Sequence, residues 1–163
     1  ITERLDFYNE QELQEIIKQY ADYLEIKLDN KGSLRIAKSA RGTPRIAKKL
    51  TRRVRDFAQV QYKKVIEDEL VQKSLKFLGI DEDGLCTVDN LILKKMIKNY
   101  GGGPVGVETI ASLIGEDSDT IETVYEPFLM RKGYIEKTSR GRQIPHLMLL
   151  KLKRKLFGQE TLF

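Results

Sequence analysis

Apolar residues recur at steps of three and four along most of this chain, and that spacing restricts it to a fold built mainly from α-helices. The first stripe runs from Leu13 to Leu24 and has the pattern of an amphipathic helix. Asn9 precedes this stripe as a cap residue, and Glu12 completes a capping box with it. These residues predict a helix that begins directly after Asn9.

The next segment contains two further helix starts. Residues 29–32 are interpreted as a turn, after which Ser33 opens a short helix that ends at Gly42. Thr43 and Pro44 combine a cap residue with proline at the first helical position, which is typical of a helix start. A long helix is therefore predicted from Pro44 onward, and one more helix is predicted before residue 80.

A polar string that ends in glycine, at residues 81–84, is typical of a hinge, and we place a domain boundary there. The chain then divides into domains 1–80 and 81–163. Residues 101–104, Gly-Gly-Gly-Pro, are interpreted as a helix stop. The second domain is predicted to contain three helices that begin near Asp89, Val107 and Ser118, with Asp89 as the cap of the first. A β-hairpin that begins near Tyr134 and a basic helical tail that begins near Leu147 follow them. Three helices followed by a hairpin predict a winged helix-turn-helix domain.

The chain has one cysteine and one histidine. The single Cys86 excludes an internal disulfide framework and a cysteine zinc site. His146, interpreted as the end of the second hairpin strand, cannot form a multi-histidine metal centre alone. No apolar run approaches the roughly 20 residues that span a bilayer. We expect the protein to be cytosolic. Because the first residue is Ile1 rather than Met, we also expect the chain to be a piece of a longer protein.

Charge is unevenly distributed, so the net charge of +5 describes no single surface. Residues 1–80 carry 17 basic and 12 acidic side chains, residues 81–130 carry 3 and 10, and residues 131–163 carry 9 and 2. Two basic zones therefore flank an acidic middle, and each basic zone has to be considered separately as a surface for acidic partners.

In the first basic zone, Arg45 is predicted to lie in the first turn of the long helix, near free backbone N–H groups and the positive end of the helix dipole. Such a position attracts anions, and a guanidinium there can bind a phosphate with two hydrogen bonds. The alternative is a basic helix face that is only solvated, and chemistry alone favours it. Tyr20 and Tyr23 are interpreted as helix-packing residues rather than a base-stacking platform.

In the second basic zone, the predicted hairpin carries Lys137, Arg140 and Arg142, and Gly141 allows a tight turn. A cationic hairpin of this kind can contact phosphates or enter the minor groove of DNA. The preceding helix carries carboxylates, which repel phosphates, at Asp117, Asp119, Glu122 and Glu126. The hairpin is therefore expected to make most of the DNA contact with little sequence preference, and the alternative is a solvated hairpin.

Several short strings of the sequence occur in the order and spacing of a known protein family. The longest are residues 40–47, Ala-Arg-Gly-Thr-Pro-Arg-Ile-Ala, and residues 52–58, Arg-Arg-Val-Arg-Asp-Phe-Ala. Shorter ones are residues 4–8, 102–106, 114–116, 120–122, 126–127 and 139–142. With these strings in order, the chain resembles over nearly its whole length the C-terminal half of the RuvB family of Holliday junction branch-migration motors.

The resemblance implies that residues 1–80 form a small helical AAA+ lid domain. It also implies that the cofactor is ATP, with Mg²⁺ held by a large ATPase domain outside this sequence. Arg45 would be the sensor-2 arginine, which reaches the γ-phosphate of ATP. Pro44 would lie against the adenine, and Tyr8 would contact the base or the ribose.

The resemblance also implies DNA contacts in the winged helix. These map onto Ser118 at the start of the third helix and onto Lys137 and Arg142 in the hairpin, with Arg140 beside them. The family usually carries arginine where this chain has Ser118 and Lys137. The lysine keeps the charge but loses the planar fork of arginine, and the serine removes the charge.

Walker motifs are missing from the sequence, which contains no Gly-x-x-x-x-Gly-Lys-Ser/Thr string and no acidic run after an apolar strand. We therefore expect the chain not to hydrolyse ATP by itself. The resemblance implies that the full-length protein is an ATP-driven DNA translocase of the bacterial cytoplasm. The implied partners are double-stranded DNA at Holliday junctions, RuvA and other RuvB subunits in a hexameric ring, with no membrane.

Two other functions remain open at this point. The first is a winged-helix transcriptional regulator with a helical effector or dimerisation domain, and the second is a protein-interaction module that docks through the acidic middle. Binding to DNAs of unrelated sequence at matched salt separates them. A regulator discriminates between the sequences, a motor domain binds them alike, and an interaction module binds none.

Overall fold

The structure is a computed structural model, and it describes residues 6–158. The chain divides into two compact units, an N-terminal unit Ile1–Cys86 and a C-terminal unit Thr87–Phe163. Of the string at residues 4–8, Arg4 and Leu5 lie outside the described residues. The domain boundary after residue 80 stays a prediction.

The described part of the N-terminal unit consists of four helices and a short parallel strand pair. Helix α2 packs against α1 and α4, and α3 packs against α1. The two strands pair with Lys27 opposite Val65 and Leu28 opposite Ile66. The elements are α1 (Glu10–Tyr23), β1 (Lys27–Leu28), α2 (Asn30–Ser39), α3 (Pro44–Val60), β2 (Val65–Ile66) and α4 (Asp68–Phe77).

The start of α1 agrees with the sequence pattern. The Asn9 side chain accepts a hydrogen bond from the Glu12 backbone N–H at 2.9 Å, and the Glu12 carboxylate accepts one from the Asn9 N–H at 2.9 Å. The predicted capping box is therefore confirmed. The predicted start of α3 at Pro44 is confirmed as well, although the Thr43 side chain makes no capping hydrogen bond.

The prediction for residues 29–32 is wrong. Helix α2 already begins at Asn30, because the Asp29 carboxylate accepts a hydrogen bond from the Gly32 N–H at 2.6 Å and so caps the helix. The expected turn is thus the first turn of α2, and Ser33 lies inside the helix rather than at its start.

The core of the N-terminal unit lies between its helices. On α3 the apolar stripe is buried at Ala47, Leu50, Val54 and Ala58, whereas Ile46 and Phe57 are half-buried at its edge. Each fully buried Leu, Ile or Val side chain stabilises the fold by about 1.5–3 kcal/mol. The other helices and β2 contribute Leu13, Ile17, Ile36, Ile66, Val71 and Leu75.

The described part of the C-terminal unit has three helical segments, a hairpin and a last helix. The third segment, residues 118–131, is called the third helix below, and it contains one π-helical stretch. The hairpin is antiparallel, with Lys137 opposite Arg142. The elements are α5 (Thr87–Tyr100), α6 (Val107–Ile114), α7 (Ser118–Thr120), the π stretch (Ile121–Tyr125), α8 (Glu126–Arg131), β3 (Glu136–Thr138), β4 (Gly141–Gln143) and α9 (His146–Phe157).

The mainly α fold with a winged helix is confirmed, and three local predictions in this unit are wrong. Asp89 does not cap α5, because the helix begins at Thr87 and Asp89 is buried in its first turn. Tyr134 does not begin the hairpin, since its N–H still donates to the Leu129 carbonyl at the end of the third helix. His146 begins α9 instead of ending a strand. No described helix is long and apolar enough to cross a membrane.

Candidate nucleotide groove and nucleic-acid interface

An open groove on the N-terminal unit contains two of the residues predicted to contact a nucleotide. Tyr8 and Pro44 both line it, and the Tyr8 N–H donates to the Gly42 carbonyl at 3.0 Å, which holds the segment before α1 against the loop before α3. The groove has a volume of about 550 Å³. Its other lining residues are Ile16, Gln19, Tyr20, Tyr23 and Lys48.

Aromatic and basic side chains form one wall of this groove. The rings of Tyr20 and Tyr23 are stacked at 5.8 Å between centroids, and the Lys48 Nζ lies 5.6 Å from the Tyr20 centroid. Arg52 donates a hydrogen bond to the Tyr20 hydroxyl at 2.7 Å. Because the Tyr23 side chain is 78% exposed, its interpretation as a helix-packing residue is wrong.

Arg45 follows Pro44 in the first turn of α3 but is not among the residues that line the groove. Its side chain is exposed and has no ion pair or hydrogen bond within residues 6–158. The Thr43 hydroxyl donates to the Arg41 carbonyl at 3.4 Å instead of accepting from the first turn of the helix. The start of α3 therefore combines a free guanidinium with backbone N–H groups that no side chain caps.

In the C-terminal unit, the third helix and the hairpin are joined by a network of ion pairs. The Arg142 Nε lies 3.0 Å from Glu126 Oε2, and its Nη2 lies 3.3 Å from Glu126 Oε1. The same Nη2 also donates to Glu122 Oε1. Lys137 Nζ lies 2.8 Å from Glu126 Oε1. Two of the predicted DNA-binding cations are thus paired with carboxylates of the third helix.

The centre of the network is shielded from water, whereas the side chains of Lys137 and Glu122 at its edge are 53% and 42% exposed. Glu126 is 2% exposed, and the Arg142 side chain is 12% exposed. Burial alone lowers the pKa of the Arg142 guanidinium. Hydrogen bonds and charges from Glu126, and then from Glu122, raise this pKa by more than burial lowers it, so the pKa lies above its ordinary value. Arg142 is therefore charged in the folded chain.

The backbone of Arg142 is held as firmly as its side chain. Its N–H donates to the Val105 carbonyl at 2.8 Å, and its carbonyl accepts from the Val105 N–H at 2.8 Å. This approach requires glycine on both sides, because a Cβ on Gly103 would lie 2.6 Å from the Arg142 carbonyl oxygen and one on Gly141 would lie 2.5 Å from the Val105 carbonyl oxygen. The Gly-Gly-Gly-Pro string therefore ends α5 and also supports the hairpin, and the second role was not predicted.

The remaining predicted DNA contacts have different surroundings. Arg140 lies in the hairpin turn, is exposed, and has no carboxylate partner within the described chain. Ser118 is half-buried at the start of the third helix. Sequence reasoning treated Glu122 and Glu126 only as charges that repel DNA. Their spacing of four residues places both carboxylates on one helix face, which could have indicated a shared partner.

The described residues contain no group of three or more His, Cys, Asp or Glu side chains that could hold a metal ion. Around the groove, the aromatic and apolar wall could hold a base, and Arg45 with Lys48 could hold anionic groups.

Two family models match this chain. The model of the RuvB AAA lid domain matches residues 8–81, and that of the RuvB C-terminal winged helix domain matches residues 82–150.

Curated relatives match over most of the chain. The Holliday junction branch migration complex subunit RuvB of Myxococcus xanthus is 49% identical over 146 residues, which is 90% of this chain and 43% of the relative. The same subunit of Lactobacillus johnsonii is 43% identical over 152 residues, 93% of this chain and 45% of the relative. The chain thus spans less than half the length of these relatives.

A solved structure is also similar. The Thermotoga maritima RuvB Holliday junction branch migration motor superposes with a TM-score of 0.85 at 42% identity. The match covers 91% of this chain and 50% of that protein.

Proposed function

Because this chain belongs to the RuvB family, we propose that it forms the nucleotide-binding lid and the DNA-binding head of an ATP-driven Holliday junction branch-migration motor. In this proposal the full-length protein hydrolyses ATP, and the Walker motifs and the Mg²⁺ ligands belong to a large ATPase domain. The partners are double-stranded DNA at junctions, RuvA and further RuvB subunits in a hexameric ring. The setting is the bacterial cytoplasm.

One arrangement supports the role of the lid: Tyr8 and Pro44 line the same groove, and the free Arg45 follows directly at the start of α3. A groove of about 550 Å³ is in the range of ordinary ligand sites, and its aromatic and apolar wall fits a purine ring. Pro44 lies against the base, and Tyr8 contacts the base or the ribose. When bound, ATP supplies the phosphoryl group that is transferred to water.

Arg45 acts on the phosphate end of the nucleotide. Its guanidinium has no carboxylate to release in the described chain, and it extends from the positive end of α3, so an anion can be bound there without breaking an existing ion pair. In the transition state it stabilises the charge that develops on the γ-phosphate oxygens. The lid thereby connects nucleotide occupancy to domain motion.

The winged helix contacts DNA through its hairpin. Phosphates carry no sequence information, so a basic hairpin next to an acidic helix gives backbone-driven binding that tolerates any sequence. This property suits a motor that moves along DNA. Arg140 and Lys137 extend from the hairpin surface, and Ser118 lies at the start of the third helix.

The test is Arg45→Ala in the full-length protein that contains this chain, with Arg53→Ala as the control. Arg53 is an exposed arginine of the same helix that does not line the groove. We expect Arg45→Ala to lower ATP turnover by about 10³-fold or more, as for comparable arginines in phosphoryl transfer, and Arg53→Ala to leave it within a factor of about two. Neither change should alter thermal stability appreciably. An unchanged turnover number for Arg45→Ala would contradict the proposed role.

A further inference from the structure

Residues 81–86, called the exit segment below, are the last residues of the N-terminal unit before α5, and they are tightly held. The Asp81 N–H donates to the Leu85 carbonyl at 2.9 Å, and the Asp81 carboxylate accepts from the Leu85 N–H at 3.0 Å. Gly84 lies so close to the end of α2 that a Cβ there would be 3.0 Å from the Lys38 carbonyl oxygen. The chain therefore leaves the N-terminal unit from a fixed place.

The loop between α2 and α3, residues 40–43, is held just as tightly. Ala40 is fully buried, and its carbonyl accepts a hydrogen bond from the Thr43 N–H at 3.0 Å. Arg41 and Gly42 follow each other in the left-handed region, with φ values of +57° and +73°. An arginine rarely adopts this conformation, and it persists only where the surrounding structure enforces it. The contacts around Arg41 therefore fix its backbone.

Arg41 joins this loop to the exit segment. Its Nη1 donates to Cys86 Sγ at 3.7 Å, at the end of the exit segment. The next residue, Gly42, accepts the hydrogen bond from the Tyr8 N–H at 3.0 Å, and Pro44 lies directly after the loop. One short loop therefore contacts both the exit segment and the residues that are proposed to hold the nucleotide.

A rigid loop between two sites can transmit a change from one to the other, because a closely packed segment moves as a body instead of deforming. At Gly84 the exit segment lies against Lys38 and Ser39, the two residues directly before the loop, and even a methyl group would be crowded there against backbone atoms. A shift of the loop has no space in which it could be absorbed. A nucleotide that fixes Tyr8 and Pro44 is therefore expected to fix the exit segment as well.

We propose that Arg41 is a positioning residue that couples the nucleotide groove to the exit segment, and so to the point from which the winged helix leaves the lid. This inference rests on the proposed function, because it assumes that a nucleotide occupies the groove. The coupling requires no contact between Arg41 and the nucleotide itself. A merely structural role would differ, since Arg41 would then stabilise the loop equally with and without a nucleotide.

The test measures amide hydrogen exchange, with and without ADP, in the full-length protein that contains this chain. The Tyr8 N–H, bonded to Gly42, reports on the groove, and the N–H groups of Gly84 and Leu85, bonded to Asp81, report on the exit segment. We expect ADP to slow exchange in both places, by about fivefold or more in the exit segment. In Arg41→Gln we expect ADP still to slow exchange at Tyr8, whereas its effect on the exit segment falls below about twofold.

Arg53→Gln is the matched control, because Arg53 is an exposed arginine of the same unit outside the loop and the groove, and it should keep both responses. The inference is overturned if ADP slows exchange at Tyr8 but not in the exit segment of the unaltered protein. It is also overturned if Arg41→Gln abolishes both responses or neither, or if the control loses the response of the exit segment.

A second variant keeps the test decisive if Arg41→Gln does not fold. Cys86→Ala removes the contact at 3.7 Å from its other partner, and it should at least halve the slowing that ADP causes in the exit segment. An unchanged slowing would again overturn the inference. Failure of the proposed function has a different appearance, since ADP would then leave exchange at Tyr8 unchanged even in the unaltered protein.

Discussion

The close contact between Gly141 and the backbone of Val105 provides a sharp test of how the hairpin is held. Gly141 has a φ of +128°, and a Cβ there would lie 2.5 Å from the Val105 carbonyl oxygen and 2.7 Å from its carbonyl carbon. Contacts this short do not occur, and both atoms belong to backbone that cannot turn aside. Gly141→Ala must therefore push the 102–106 segment away from β4.

The expected cost has two parts. Holding alanine at this φ costs about 1–3 kcal/mol, because the conformation is rarely adopted by residues with a side chain. Separating the strands weakens the two hydrogen bonds between Val105 and Arg142, each of which contributes about 1 kcal/mol. Together these terms predict a loss of about 2–5 kcal/mol in the free energy of unfolding of the C-terminal unit.

Gly133→Ala is the matched control. Gly133 also has a positive φ, +72°, but apart from its two chain neighbours no atom of residues 6–158 lies within 4 Å of the position where its Cβ would be. Only the cost of the left-handed conformation remains there, about 1–2 kcal/mol. Both changes remove the same freedom from the unfolded chain, so their difference reports the close contact together with the larger conformational cost at the φ of Gly141.

Thermal unfolding with residue-resolved amide hydrogen exchange measures this difference, because exchange separates the C-terminal unit from the N-terminal one. For a unit of this size, we expect a fall in melting temperature of about 10–30 °C for Gly141→Ala and of about 5–10 °C for Gly133→Ala. Equal losses for the two variants would show that the contact with Val105 does not limit the hairpin.

Two further predictions concern the N-terminal unit and catalysis. Arg35 donates to both carboxylate oxygens of Asp68 at 2.6 and 2.8 Å and, through these hydrogen bonds, holds the Asp68 pKa below its usual value. This contribution is therefore present above the unfolded pKa of about 3.9 and is lost as the pH falls through the lower folded value. In urea unfolding, Asp68→Asn should cost about 1–2 kcal/mol at pH 7 and progressively less as the pH falls below about 3.9, and a pH-independent difference would contradict this cause. The 163-residue chain itself should release no phosphate from ATP above background, and turnover that co-purifies with it and disappears in Arg45→Ala would refute this expectation.

Helix starts were predictable because their determinants are adjacent in the sequence. Asn9 and Glu12 bond to each other's backbone, and Pro44 fixes its own φ, so no distant contact is needed to position α1 or α3. The start of α2 was predicted wrongly, although its cap is also local. Asp29 is equally suited to a turn and to a helix cap, and the bond from Gly32 that decides between them is visible only in the folded chain.

Candidate site residues were predictable only in part. Tyr8 and Pro44 came from the family resemblance, and no local pattern indicates that they share a groove. The pairing of Arg142 with Glu122 and Glu126 spans 16 to 20 residues and depends on the register of the hairpin. From the sequence alone these carboxylates were therefore predicted to repel DNA, although in the structure they neutralise cations of the hairpin.

The arginines of this chain differ in what their guanidinium groups already contact. Arg35 and Arg142 each bind carboxylates across two elements, and moving them breaks contacts within the fold. Arg45 and Arg140 have no such partner within residues 6–158, so an incoming phosphate meets no internal competitor. The lack of a carboxylate partner does not by itself identify a binding residue, because Arg53 also has none within residues 6–158. Arg45 differs from Arg53 because it lies at a helix start beside uncapped backbone N–H groups, and Arg140 differs because it lies in a hairpin turn.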